Sequence, residues 1–110
     1  MESILTSVKK ALGIAAEYTH FDPDLIMHIN SVFSILNQLG VGPEEGFVIS
    51  NEYNTWGEFI VDNPKLEFVK SYMYLKVKLL FDPPTSSAVA ESTKRLTDEL
   101  EWRILTAAES

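Results

Sequence analysis

"KLLFDPPTSSAVAES", residues 78–92, decides how the chain must fold. An apolar run of helical character stops at Asp82-Pro83-Pro84, and a second helical pattern starts within a few residues. Proline has no amide donor and drives the residue before it out of the helical region. A helix running through Leu80 therefore cannot pass Pro83 and Pro84. Thr85, Ser86 and Ser87 then offer hydroxyls that can cap a following helix. The stretch predicts two long helices joined by a stiff corner.

Upstream of the corner, a helix is predicted over residues 64–81, with Asn63 as N-cap and Pro64 at the first helical position. Leu66, Val69, Met73, Val77 and Leu80 form one apolar face, and Phe68, Tyr72, Leu75 and Leu79 form a second. A helix apolar over most of its circumference is buried on most sides. It is either the central helix of the fold or one shared with a neighbouring chain. Downstream, a helix over residues 87–107 carries Val89, Thr93, Leu96, Leu100, Ile104 and Ala107 as its inner stripe. Glu91 with Arg95 and Glu99 with Arg103 are four-residue pairs in the favoured order. Trp102 lies nearly opposite the stripe, either as a contact residue on a charged face or folded over its own helix or a loop.

Two more helices precede these. The first spans residues 3–12 and is closed by Gly13, with Lys9 and Lys10 suiting the dipole at its last turn. The second spans residues 23–39, with Asp22 as N-cap, Pro23 at the first position and Gly40 at the end. Its apolar stripe is Leu25, Ile29, Val32, Leu36 and Leu39. Its other side carries Asn30, Ser31, Ser34, Asn37 and Gln38 and no charge. Small uncharged polar side chains cost less to desolvate than charges. This face can pack against another subunit or another element of the chain.

Residues 41–63 form an irregular segment broken by Gly42-Pro43 and Gly46. Phe47 to Ile49 could be a short strand pairing near Tyr53, and Asn54 or Thr55 could cap a short helix carrying Trp56, Phe59 and Ile60. The fold class expected is mainly α. It is a single domain over residues 1–110, a small bundle of about four main helices. A long irregular loop or short β-hairpin, the arm at 41–63, separates the second and third.

The bulk composition narrows function. At 110 residues and 45% hydrophobic content the chain suits one core. It has no cysteine, which excludes disulfides, thiolate metal sites and cysteine nucleophiles. No apolar run reaches the roughly 18 to 20 residues that span a bilayer, and no signal peptide is expected. The net charge of −7 counts against a protein that grips nucleic acid or an anionic membrane. The sixteen acids are spread along the chain among nine bases, which weakens a reading as a charge mimic.

A search for chemistry is mostly negative. His20, Asp22 and His28 fit no standard zinc spacing. Glu44-Glu45 and Glu99 with Glu101 read as solvated surface rather than an acid–base pair. Gly40-Val41-Gly42-Pro43 lacks the strand, the Lys-Ser/Thr and the helix start of a phosphate loop. No catalytic residue, cofactor or metal site is expected.

Two segments carry a resemblance: "ILTSVKKALGIAAEYTHFDPDLIMHINSVFSIL" and "VKSYMYLKVKLLFDPPTSSAVAESTKRLTDELEWRI", joined by the element "WGEFI". With these the chain resembles the small head–tail connector proteins of long-tailed bacteriophages, also called adaptor or head-completion proteins. The resemblance implies a helical structural protein of the virion neck, made in the bacterial host cytoplasm and free of cofactors. It implies a homo-oligomeric ring, typically dodecameric, that docks on the portal protein and extends the channel for double-stranded DNA. The ring presents a surface to the next neck, stopper or tail-completion protein, with no membrane involved. On pattern, the candidate interface residues are Asn30, Ser34, Asn37, Gln38, Phe47, Ile49, Trp56, Phe59 and Trp102, with Asp82, Pro83 and Pro84 as the helix corner. The alternative is a small acidic intracellular protein-interaction or regulatory module.

Overall fold

A computed structural model describes residues 2–60 and 66–109; Asn63, Pro64 and the side chain of Ala107 lie outside the described residues. The element order is α1 (Ile4–Leu12), α2 (Asp22–Gln38), α3 (Trp56–Phe59), α4 (Leu66–Phe81) and α5 (Ser87–Glu109). The four main helices and the corner stand where periodicity and breakers place them.

Local chemistry sets the ends. Ser3 caps α1 by accepting from the Thr6 amide at 3.2 Å. Both α1 and α2 stop at a glycine in the left-handed region, Gly13 (φ 79°) and Gly40 (φ 84°). In each the glycine and the next residue donate back to carbonyls of the last turn. Gly13 and Ile14 reach Lys10 and Lys9; Gly40 and Val41 reach Asn37 and Leu36. This paired closure satisfies carbonyls that would otherwise be left without donors. At the start of α2, Pro23 lies in the first turn as expected. Asp22 does not cap it, because its carboxylate is taken by Lys9 at 2.8 Å.

α4 is the central helix, in contact with α1, α2 and α5. Val69, Tyr72, Met73 and Val77 are fully enclosed there, against Ile4, Val8, Leu25, Ile29, Val32 and Leu36 of the core. α5 packs on α4, so the molecule is a slab of 38 × 35 × 20 Å. Among the described side chains of α5, Thr97, Leu100 and Ile104 are buried. The predicted stripes therefore need correction at the corner end. Leu80, Val89 and Leu96 are exposed, as is Phe68 of the second face of α4. The stripe is present in the sequence, but among the described residues no further layer covers these side chains.

No β-hairpin forms in the arm among the described residues. The one pairing is an antiparallel bridge between Ser3 and Thr55. Ile4 donates to the Asn54 carbonyl at 3.0 Å and Trp56 to the Glu2 carbonyl at 3.1 Å. The arm folds back onto the start of α1. Thr55 begins α3, its amide held by the Glu58 carboxylate at 2.7 Å.

Candidate interaction surfaces

Part of the uncharged side of α2, at Asn30 and Asn37, is tied to the arm of the same chain. Asn30 accepts from the Ile49 amide at 2.8 Å and donates to the Ile49 carbonyl at 3.0 Å. Asn37 donates to the carbonyls of Pro43 and Glu44 at 3.1 and 3.3 Å. The absence of charge on this face therefore has an internal cause, since carboxamides can match both donors and acceptors of a loop backbone. Ser34 and Gln38 stay exposed.

The arm's apolar residues lie inside the chain. Ile49, Trp56 and Phe59 are buried, and Phe47 is half-buried. Phe33 of α2 gathers the rings, with centroids 5.0 Å from Phe47, 4.7 Å from Phe59 and 6.2 Å from Trp56. Aromatic pairs at such separations add to the gain from burial. The Trp56 indole N–H donates to Ser7 Oγ at 2.8 Å, and Ser7 donates on to the Ile4 carbonyl at 3.0 Å. Lys70 lies over the Trp56 ring at 5.8 Å. These side chains form the seal between arm and bundle within the single chain. A tryptophan next to a short capped helix reads equally well as surface or core; its hydrogen bond to a serine 49 positions away exists only in three dimensions.

Trp102 is the opposite case. It is 64% exposed on the outer side of α5, beside Leu39 and Leu105 and the carboxylates of Asp98 and Glu101. The other flank of α5 forms a shallow apolar groove with α4, lined by Ser71, Tyr74, Leu75, Leu96 and Leu100. The helix pair is tied by the Tyr72 hydroxyl, which donates to Glu101 at 2.9 Å. Burial, then the hydrogen bond and charge of Glu101, push this phenol well above its ordinary range. Tyr74 is also raised, chiefly by burial. The ion pairs of α5 form as spaced: Glu91–Arg95 at 3.8 Å, Glu99–Arg103 at 2.8 Å, with Lys94–Asp98 at 3.2 Å besides.

The corner is pinned from the side. The Asp82 amide still donates to the Lys78 carbonyl at 2.8 Å, so the helix runs until proline forbids it. Ser86 then accepts from the Val89 amide at 3.4 Å and caps α5. Phe81 packs edge-on against Phe21 at 5.1 Å and near His28 at 6.4 Å. Neither histidine is drawn to a metal arrangement: among the described residues no group of three His, Cys, Asp or Glu is placed to hold one. No helix among them is long and apolar enough to cross a membrane.

Two features escaped the sequence reading. Lys9 is buried, its ammonium donating to the Ala16 carbonyl at 2.9 Å and meeting Asp22 as an ion pair. The signal was its place four residues after Leu5 and three before Leu12, on the apolar face of α1. The charges are also less mixed than they look, because no lysine or arginine occurs between Lys10 and Lys65.

Comparison with curated proteins and with solved structures returns no match. Comparison with protein families does: the profile described as "Phage connector protein" matches residues 4–110. That span includes all five helices, the arm and the corner, and on it the chain belongs to the phage connector protein family.

Proposed function

We propose that the protein is a structural, non-enzymatic component of the phage neck. In this reading it assembles as a ring beneath the portal, extends the DNA channel, and offers the next neck or tail-completion protein an attachment surface. Trp102 carries the proposal. The chain encloses Trp56 completely yet leaves Trp102 64% exposed between Leu39 and Leu105. Exposed tryptophans beside aliphatic neighbours are the residues on which interfaces concentrate their binding energy. The groove on the other flank of α5 supports the same reading, because a ring needs two different surfaces on each subunit, one for each neighbour. The charge of −7 supports a channel through which phosphates slide without being held.

The experiment is co-sedimentation of the purified chain with rings of the cognate portal protein, followed by electron microscopy of the pelleted complex. Binding is expected, and Trp102→Ala should weaken it about ten-fold or more, as loss of an interface hot spot does. A wild-type chain that ignores the portal ring and is missing from purified virions would sink the reading. The isolated chain staying monomeric would not, because a portal ring can template its assembly.

A further inference from the structure

Glu101 stands apart from the other described carboxylates of α5. Glu91, Asp98 and Glu99 each meet a cation of the same helix one turn away. Among the described residues no cation pairs with Glu101; its Oε2 accepts from the Tyr72 hydroxyl at 2.9 Å. Tyr72 is fully enclosed, so this bond fixes where the carboxylate stands. Glu101 itself is half-buried, in the wall of the groove that Leu39, Asp98, Trp102 and Leu105 complete. A carboxylate partly withdrawn from water gains more from a nearby counter-charge, because solvent screens it less. The Tyr72 phenol registers the local sign. After burial and its hydrogen bond, the charges of Glu101 and Asp98 raise it further.

Beside that carboxylate the chain leaves apolar surface in water. Trp102 is exposed, with Leu39 and Leu105 next to it. Helical spacing sets Asp98 and Leu105 between Glu101 and Trp102, so an indole and a carboxylate border one groove from opposite sides. The side chain that matches both is arginine. Its guanidinium is planar and weakly hydrated, stacks on an indole and bonds a carboxylate through its N–H groups. Lysine offers a point charge without the plane. Carboxylates on this flank turn phosphate away, so the occupant belongs to a protein rather than to DNA. A second copy fits poorly. Its two arginines, Arg95 and Arg103, already meet carboxylates of their own helix, and it brings a net charge of −7. We propose that the groove at Trp102 takes an arginine of a different protein. The guanidinium sits between the Trp102 ring and the Glu101 carboxylate, and Leu39 and Leu105 cover its methylene stem. The proposal deepens the reading of Trp102 as an attachment surface and rests on it for the setting, since in a neck the arginine would come from a neighbouring protein.

The test is an NMR titration of the isotope-labelled chain with capped alanine peptides that carry three arginines, three lysines or three citrullines. Citrulline keeps the shape of arginine without its charge. The arginine peptide is expected to shift the Trp102 indole N–H, told from that of Trp56 by its absence in Trp102→Ala. It should bind about ten-fold more tightly than the citrulline peptide and about three-fold more tightly than the lysine peptide, charge supplying the first ratio and stacking the second. Glu101→Gln keeps an oxygen for the Tyr72 hydroxyl and removes the charge. In that variant the preference over citrulline should fall to about three-fold or less. Trp102→Ala, a change at an exposed residue, should abolish the preference over lysine, and it decides the matter should Glu101→Gln fail to fold. A Trp102 indole unmoved at about 1 mM arginine peptide, the weak limit of useful affinity, overturns the proposal. So do equal binding of the arginine and citrulline peptides, equal binding of the arginine and lysine peptides, or an undiminished preference in Glu101→Gln. Concentration-dependent shifts of the same indole without peptide would place a second copy there and overturn it too. Portal rings that fail to bind while the arginine peptide binds would count against the connector reading alone.

Discussion

Trp56 and Trp102 mark two regions built on opposite terms. Around Trp56, the bundle and the arm satisfy each other: indole to serine, asparagine to loop backbone, ring to ring. Around Trp102, the α4–α5 hairpin buries one stripe and leaves Phe68, Leu80, Val89, Leu96 and Leu105 partly in water. The difference teaches where stability and recognition reside. A well-satisfied region tolerates little change. A half-covered helix pair, with exposed ion pairs one turn apart along it, tolerates change and retains apolar surface.

The strongest way to break the contrast is Trp56→Ala. It removes the largest enclosed side chain and leaves Ser7 without its donor. A loss of about 3–5 kcal/mol is expected, the range for a large aromatic cut to alanine, read as a shift of the urea midpoint. Gly42→Ala comes next. Gly42 has φ 88°, and an added Cβ would run into the Phe59 ring. Left-handed strain and overpacking together should cost about 2–4 kcal/mol in the same measurement. Asn30→Ala strips both bonds from Ile49 and should cost about 1–3 kcal/mol, with amide exchange rising at Ile49 before the rest of the core.

Smaller effects are expected across the hairpin. Tyr72→Phe removes the bond to Glu101 and should cost about 1 kcal/mol near neutral pH. The phenol's folded pKa lies above its ordinary value of 10.0, so the fold favours the protonated form. That preference stabilises below pH 10 and is lost as pH rises beyond it, because the unfolded chain then releases the proton first. Alkaline melts should therefore fall less steeply in Tyr72→Phe than in the wild type. Replacing Pro83 and Pro84 by glycine should have the smallest effect on circular dichroism. The change acts mainly by freeing the unfolded chain, about 1 kcal/mol or less per site. Its larger effect should be on assembly with portal rings, where a loosened corner repeats in every subunit. Unchanged assembly in that variant would remove the corner from the proposed function.

The helices and their ends were legible because their causes are local. Asp82-Pro83-Pro84 stops a helix whatever surrounds it, and Gly13 and Gly40 supply left-handed caps within their own turns. The central position of α4 was legible because apolar residues line most of its circumference. The candidate surface was legible only in part. Trp102 faces outward as its place opposite the stripe suggested, whereas Ile49, Trp56 and Phe59 lie inside. Nothing near Trp56 in the chain announces Ser7, and nothing near Asn30 announces Ile49. Val89 and Leu96 show the converse, stripe positions that no layer among the described residues covers.

The sequence by itself determined four main helices, their glycine ends, a proline corner, an acidic balance and a family. Those depend on neighbours within a few residues or on totals over the chain. Only the tertiary structure decided which aromatic residues seal the arm and which remain for a partner. It also decided that Lys9 and Asp22 meet across the α1–α2 connection and that Asn30 holds the backbone of Ile49. Such outcomes depend on which surfaces the corner and the arm bring together, and burial is a property of that meeting rather than of any residue alone.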